Sequence, residues 1–256
     1  MSLISNPENG YKEGSDKIIT SNIKKEGNII IPEGIKYLLD FFLISHKNIY
    51  SIELPTSLIE INSSSFYNSS LTDIIIPEGV TNIGMYCFYY CTSLTNIKLP
   101  NKLKILGSHC FDTSGIQEII IPEGINKLEN NCFDNCSSLT KVILPSSLKE
   151  IGKKCFKRCS IITINIPEGV TKISYKCFYN CSLLNNIKLP NSLKIIGDLC
   201  FYLCIFNNIV IPSNVYYLGE QSFLYCKNLK TAVIQSQNLV IKEITFPRNT
   251  KIIKNN

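Results

Sequence analysis

The chain has 256 residues, of which 45% are hydrophobic and 18% are charged, and its formal net charge is +6. So large an apolar fraction excludes an intrinsically disordered chain, which needs few apolar residues and a high charge. No stretch approaches the roughly 18 consecutive apolar residues of a membrane-spanning helix. Residues 1–17 also lack the apolar core of a classical secretory signal. From the composition and the short apolar runs we expect a folded chain without a direct membrane span.

The first 25 residues differ from the rest of the chain. They are rich in Asn, Lys, Ser and Gly and contain none of the repeat that follows. We expect residues 1–25 to form a flexible N-terminal segment and a cap, because chain ends are loose unless tied down and the first layer of a repeat stack needs covering.

From residue 32 onward a proline recurs at alternating steps of 23 and 22 residues. The prolines stand alternately in IPEG and LPxxL sequences, which indicates that a block of two units was duplicated. The spacing predicts nine full units and a shortened last one within residues 26–247, with residues 248–256 as a C-terminal cap or tail. The prolines are Pro32, Pro55, Pro77, Pro100, Pro122, Pro145, Pro167, Pro190, Pro212 and, in the short unit, Pro247.

Each proline follows a short apolar pattern, as in Ile74 and Ile76 before Pro77. Two such residues lie two apart, which is the period of a strand with one buried face, and β-branched Ile favours a strand. The proline then ends the strand because it has no N–H for the ladder. We therefore predict one strand before each proline.

Apolar residues also recur after each proline, at the third, sixth and eleventh positions. A glycine often follows the sixth position, as at Gly84 and Gly107, and we predict a turn with positive φ there, as also at Gly152, Gly197 and Gly219. The eleventh position predicts an internal stack of rings from Phe66, Phe88, Phe111, Phe133, Phe156, Phe178, Phe201 and Phe223.

The full unit, LxxIxLPxxLxxIGxxCFxxCxSL, resembles the leucine-rich repeat of the BspA-like family over about residues 26–247. One departure is regular: a cysteine stands ten residues after the proline, where that family more usually has a small residue such as Ala. The resemblance implies a leucine-rich-repeat horseshoe with a parallel concave sheet. It also implies a non-enzymatic role in surface attachment or protein recognition.

The predicted fold class is thus a β-rich repeat solenoid, with short turns or 3-10 segments on the convex side. One unit is too small to bury its apolar residues alone, but stacked units bury them against each other.

All twelve cysteines fall on two positions of the unit, ten and fourteen residues after the proline. Three interpretations remain open: buried thiols in two ladders, disulfides between stacked neighbours, or a metal site. The first is favoured, because no histidine joins the pattern and the spacing is not of the CxxC type common in zinc sites. We predict no metal, no cofactor and mostly free thiols.

Residues that alternate with the buried ones point outward from the predicted sheet. The position two before the proline is mainly Ile or Val with lysines between, and the position four before is polar. An exposed apolar row is a cost unless something covers it, so we expect a face that binds a protein or peptide. The alternative is that β-branched residues merely favour strands. The candidate residues are Asp73, Ile75, Asn96, Lys98, Glu118, Ile120, Lys141, Ile143, Asn186, Lys188 and Val210.

The glutamates of the IPEG turns, Glu33, Glu78, Glu123 and Glu168, recur in every second unit. They could bind cations, but solvated turn residues are the favoured interpretation.

The sequence predicts no enzyme: the only His beside a Cys is His109, and Cys110 occupies a ladder position, whereas a catalytic thiolate must be activated and reachable. We expect no nucleic-acid partner, because the lysines are scattered. Two functions remain: surface adhesion or host recognition, implied by the resemblance, and an intracellular scaffold, favoured by the missing signal. The sequence makes no prediction of oligomeric state.

Overall fold

A computed structural model describes residues 2–3, 17–18, 27–237 and 239–254, the first two pairs by their backbone alone. Within these ranges the chain contains only strands and turns, and none of it forms a helix that could cross a membrane. The strands are β1 (Ser2–Leu3), β2 (Lys17–Ile18), β3 (Gly27–Ile30), β4 (Tyr37–Leu38), β5 (Ile49–Glu53), β6 (Glu60–Ile61), β7 (Asp73–Ile75), β8 (Asn82–Ile83), β9 (Asn96–Lys98), β10 (Ile105–Leu106), β11 (Glu118–Ile120), β12 (Lys127–Leu128), β13 (Lys141–Ile143), β14 (Glu150–Ile151), β15 (Thr163–Asn165), β16 (Lys172–Ile173), β17 (Asn186–Lys188), β18 (Ile195–Ile196), β19 (Asn208–Ile211), β20 (Tyr217–Leu218), β21 (Thr231–Ile234) and β22 (Lys251–Lys254).

The strands form two faces of a parallel solenoid. The odd-numbered strands and β22 make the long-strand face, and each odd-numbered strand from β3 to β19 precedes a proline. The other even-numbered strands make the short-strand face. The pairing is parallel and in register, with Ile74 opposite Ile97 and Ile119 opposite Val142. The predicted β-rich repeat solenoid is therefore confirmed.

The short-strand face was not predicted. Its strands have only two residues, five and six after the proline, as in Asn82 and Ile83. Alternation over two residues is too short to be recognised in a sequence. Stacking forms these strands, because each pairs with its counterpart in the next repeat, as Glu60 does with Asn82.

The ladder of the long-strand face opens at regular places. β7 pairs with β9, β11 with β13, and β15 with β17, all within two-unit blocks. Strands of adjacent blocks, such as β9 and β11, contact each other but form no ladder. The two-unit period of the sequence is therefore also a period of the sheet.

The core is a column of phenylalanine rings, as predicted. Neighbouring rings from Phe66 to Phe223 stack with centroids 5.1–5.5 Å apart, and Phe246 continues the column at 5.1 Å from Phe223. The ring of Phe42, in the first unit, instead meets Phe66 edge-on. This continuous apolar column explains why single repeats need their neighbours.

Strands near both ends of the sequence extend the solenoid. β1 pairs with β3 and β2 pairs with β4, whereas the rest of the expected segment 1–25 lies outside the described residues. β22 pairs with β21, within the stretch expected to be a cap or tail.

The predicted role of the glycines that follow the sixth position was wrong. Gly84, Gly107, Gly152, Gly197 and Gly219 do not have positive φ. Instead, a Cβ on Gly107 would lie 2.5 Å from the backbone carbon of Gly84, because successive repeats approach closely there. The glycines with positive φ include Gly34, Gly124 and Gly169 of the IPEG turns.

Positive φ occurs mainly at other residues, nine and thirteen after each proline. Among the described residues, eighteen other than glycine adopt it, including Tyr86 and Tyr90. Such a backbone costs roughly 1–2 kcal/mol per residue. Hydrogen bonds between repeats offset the cost, since Tyr86 N donates to Ser108 O at 3.0 Å and Tyr90 N to Asp112 O at 2.9 Å.

Candidate functional site

All eleven residues predicted for the binding face lie on strands of the long-strand face, and their side chains are exposed. The apolar members are exposed to different degrees: 76% at Ile75, 64% at Ile120, and 46% at Ile143 and Val210. Ile74, one residue from Ile75, is 3% exposed, so the alternation of the strand separates core from surface.

The first groove on this face crosses β7, β9 and β11 and has a volume of about 520 Å³. It brings together six of the predicted residues. Its floor includes Ile97, which is only half-buried. The predicted residues that line it are Asp73, Ile75, Asn96, Lys98, Glu118 and Ile120.

The second groove lies between β17 and β19 and has a volume of about 340 Å³. Of the predicted residues it contains Lys188 and Val210, while Ile187 forms its floor. Gln235 and Asn208 add amide groups to the lining. Asn186 lies on the same strand outside this lining.

Between the grooves lie Lys141 and Ile143. The Lys141 ammonium contacts the Glu118 carboxylate at 3.0 Å, with both side chains about 60% exposed. An ion pair this exposed contributes little to stability. It does, however, neutralise the Glu118 carboxylate beside the first groove.

Sequence reasoning missed the groove floors. Ile97 and Ile187 stand three residues before a proline, as the buried Ile74 does, so the strand pattern places them in the core. Asn101, Asn191 and Gln235 were not selected because they lie at or after the proline position. The shared sequence NIKLPN at 96–101 and 186–191 was the available signal.

The IPEG glutamates have a structural role that the sequence did not indicate. Glu123 accepts hydrogen bonds from Ser146 N at 2.8 Å and Ser147 N at 3.2 Å in the following LPxxL turn. Glu33 bonds Thr56 N in the same way, and these backbone donors lower the pKa of both carboxyls. Gly124 N completes the contact by donating to Ser147 Oγ at 3.1 Å. The glutamates are thus exposed but bound to the next repeat.

The twelve cysteines form two buried ladders of unpaired thiols. Those fourteen after the proline donate to the phenylalanine carbonyl of the preceding repeat, as Cys91 Sγ does to Phe66 O at 2.9 Å. Burial raises the pKa of all twelve thiols, to about 12 at Cys136 and Cys181, so the nucleophilic thiolate is disfavoured. Within the described ranges, no group of His, Cys, Asp and Glu has an arrangement that could hold a metal ion.

The His109 side chain does not act on its neighbour Cys110. The His109 Nδ1 atom lies 2.8 Å from Asp112 Oδ2, and its ring stacks on Tyr86 at 4.6 Å. Cys110 is fully buried and its thiol pKa is raised by burial. This pair lacks the activated thiolate that cysteine catalysis requires.

Comparison with known proteins agrees with this geometry. The family model described as a BspA type leucine rich repeat region matches residues 20–140, 60–185, 104–230 and 149–256. No curated protein matches the chain significantly.

Several solved structures are similar to the chain. The pneumococcal vaccine antigen PcpA is 20% identical over 90% of this chain and 74% of its own, with a TM-score of 0.57. A leucine-rich repeat protein from Bacteroides ovatus is 22% identical over 90% of this chain and 84% of its own, with a TM-score of 0.49. A leucine rich cell surface protein from Faecalibacterium prausnitzii is 22% identical over 90% and 60%, with a TM-score of 0.49.

Proposed function

The chain belongs to the BspA-type leucine-rich repeat family, and from this we propose that it binds a partner protein through its long-strand face. This family and fold are typically protein-interaction modules without catalytic activity. The observation that carries the proposal is the outward row of Ile75, Ile120, Ile143 and Val210 on the parallel strands of the long-strand face.

The physical basis is rigid display. The side chains of this row are held by a ladder and a packed core, so a partner that covers them loses little conformational freedom on the protein's side. Covering apolar surface contributes about 25 cal/mol per Å² removed from water. The polar row, which includes Asp73 and Asn186, then sets the register of the partner.

We assign the role to surface adhesion or host recognition, as the family resemblance implies. An intracellular scaffold is the second candidate. It is favoured by twelve unpaired thiols, because oxidising compartments favour disulfides. Antibody labelling of intact source cells, with and without external protease, separates them. Labelling that protease removes supports adhesion, and labelling only after permeabilisation contradicts it.

Binding by the face is tested with a phage-displayed library of 16-residue peptides, selected on the folded chain. We expect the selected peptides to lose binding to a variant with Ile120→Asp and Ile143→Asp. Its control carries Met85→Asp and Ile105→Asp, which place the same charges at exposed positions off the long-strand face. Selected peptides that bind both variants equally well would reject the proposal.

A further inference from the structure

Two grooves on the long-strand face are built from one repeated hexapeptide. The sequence NIKLPN occurs at 96–101 and again four repeats later at 186–191. Each copy ends a strand, β9 or β17, at a place where the ladder to the following strand is open. On these two strands Ile97 and Ile187 are only half-buried.

One lysine lines each groove, Lys98 in the first and Lys188 in the second. Within the described part of the chain, neither the Lys98 nor the Lys188 ammonium has a hydrogen bond or ion pair. Both lysines are exposed and border an exposed apolar side chain, Ile120 in the first groove and Val210 in the second. A charge beside low-dielectric walls attracts an opposite charge more strongly than one in open water.

We infer that the long-strand face binds an extended acidic polypeptide segment, which places one carboxylate on Lys188 and another on Lys98. The inference rests on the proposed function and names the chemistry of the partner. Four steps of about 4.8 Å separate the grooves by about 19 Å, which an extended chain spans in about six residues. Residues six apart lie on the same side of an extended chain, so both carboxylates can face the protein.

The two grooves differ in how strongly they attract a carboxylate. Asp73 and Glu118 line the first groove and oppose a carboxylate, although Lys141 neutralises Glu118. The corresponding lining of the second groove is neutral, with Asn208 and Gln235. Lys188 is therefore the stronger of the two anchors.

The test uses the capped peptide SVEVSGSVEVS, which has two glutamates six residues apart between valines, and its analogue SVQVSGSVQVS. Binding to the full chain is measured by NMR titration, which detects weak complexes. We expect the glutamate peptide to bind at least about tenfold more tightly and to weaken as NaCl rises. Lys188→Gln should lose about fivefold in affinity and Lys98→Gln less, as befits exposed ion pairs.

Lys153→Gln is the matched control, because Lys153 is exposed in a turn outside the long-strand face. Equal binding of the two peptides, absence of binding at millimolar peptide, or full affinity in folded Lys188→Gln would overturn the inference. If Ile120→Asp with Ile143→Asp abolishes binding but the lysine variants do not, the inference fails and the proposed function stands. Insensitivity to both sets of variants would overturn both.

Discussion

Cys136 donates its thiol hydrogen to the backbone carbonyl of Phe111 in the preceding repeat, with Sγ and O 2.9 Å apart. The same carbonyl also accepts the backbone N–H of Ser114 at 2.9 Å. The bond recurs along the ladder, for instance from Cys181 to Phe156 at 2.9 Å. Cysteine at this position therefore both fills space and joins one repeat to the next.

Substitution by alanine should destabilise the protein less in one cysteine ladder than in the other. The Cys132 thiol donates no side-chain hydrogen bond within the described ranges, so Cys132→Ala removes only packing, at a cost of about 1 kcal/mol. Cys136→Ala also removes the bond to Phe111 and should cost about 1 kcal/mol more. The measurement is the free energy of unfolding in urea.

Cys136→Ser is the control for this prediction, because serine keeps a donor and already occupies the position at Ser69 and Ser114. We expect it to be more stable than Cys136→Ala. Equal losses for Cys132→Ala and Cys136→Ala would show that the thiol hydrogen bond contributes nothing.

The close approach at Gly107 predicts a severe effect of a single methyl group. A Cβ there would lie 2.5 Å from Met85 N and 2.7 Å from Gly84 O, and neither backbone atom can move without separating the repeats. Gly107→Ala should destabilise the chain by more than about 3 kcal/mol, within the range of severe overpacking. Gly34→Ala provides the comparison, since its Cβ meets none of the described residues within 4 Å and its φ of 93° is unfavourable. That strain should cost about 1–2 kcal/mol. If both variants unfold at the same urea concentration, close contact is not the reason for glycine at 107.

Much of this fold follows from spacing alone. The Phe column, both cysteine ladders and the outward row with Ile75 and Ile120 depend on positions counted from the proline, and parallel stacking brings equal positions together. Features that depend on the backbone path between repeats could not be predicted from this spacing. The close contact at Gly107, the hydrogen bond from Ser146 N to Glu123 and the missing ladder between β9 and β11 all concern two different repeats. No local sequence pattern encodes the distance between repeats.

The hydrogen-bonded Glu123 carboxylate should contribute less to the free energy of unfolding in acid. Its pKa is lowered in the folded state by the Ser146 and Ser147 backbone donors, below the ordinary value of 4.5. The stabilising contribution is therefore complete above that ordinary value and is lost as the pH falls through the lowered pKa. The stability difference between the wild type and Glu123→Gln should shrink over this interval, measured by urea unfolding between pH 2 and 6. Glu243→Gln, at an exposed glutamate without such backbone donors in the described chain, is the matched control. A constant difference for Glu123→Gln at all pH values would contradict the assignment.

For the buried Asp134 carboxyl we expect the opposite pH dependence of the free energy of unfolding. It is 3% exposed, its Oδ2 atom accepts from Asn131 and Lys157, and its Oδ1 atom is buried without a hydrogen-bond partner. Burial raises the pKa of this carboxyl despite the Lys157 ammonium at 3.2 Å, and the neighbouring Asp112 raises it further.

Because the folded state holds the proton more tightly than the unfolded chain, this contribution to stability is complete below the ordinary pKa of 3.8 and is lost as the pH rises through the raised pKa. Asp134→Asn removes the titration but keeps the shape of the side chain. The variant should therefore gain stability relative to the wild type as the pH rises from 3 to 7, measured by urea unfolding. Asp73→Asn, at an exposed carboxylate, is the matched control. Parallel stability profiles for Asp134→Asn and the wild type would mean that the Lys157 ammonium fully compensates for the burial of the Asp134 carboxylate.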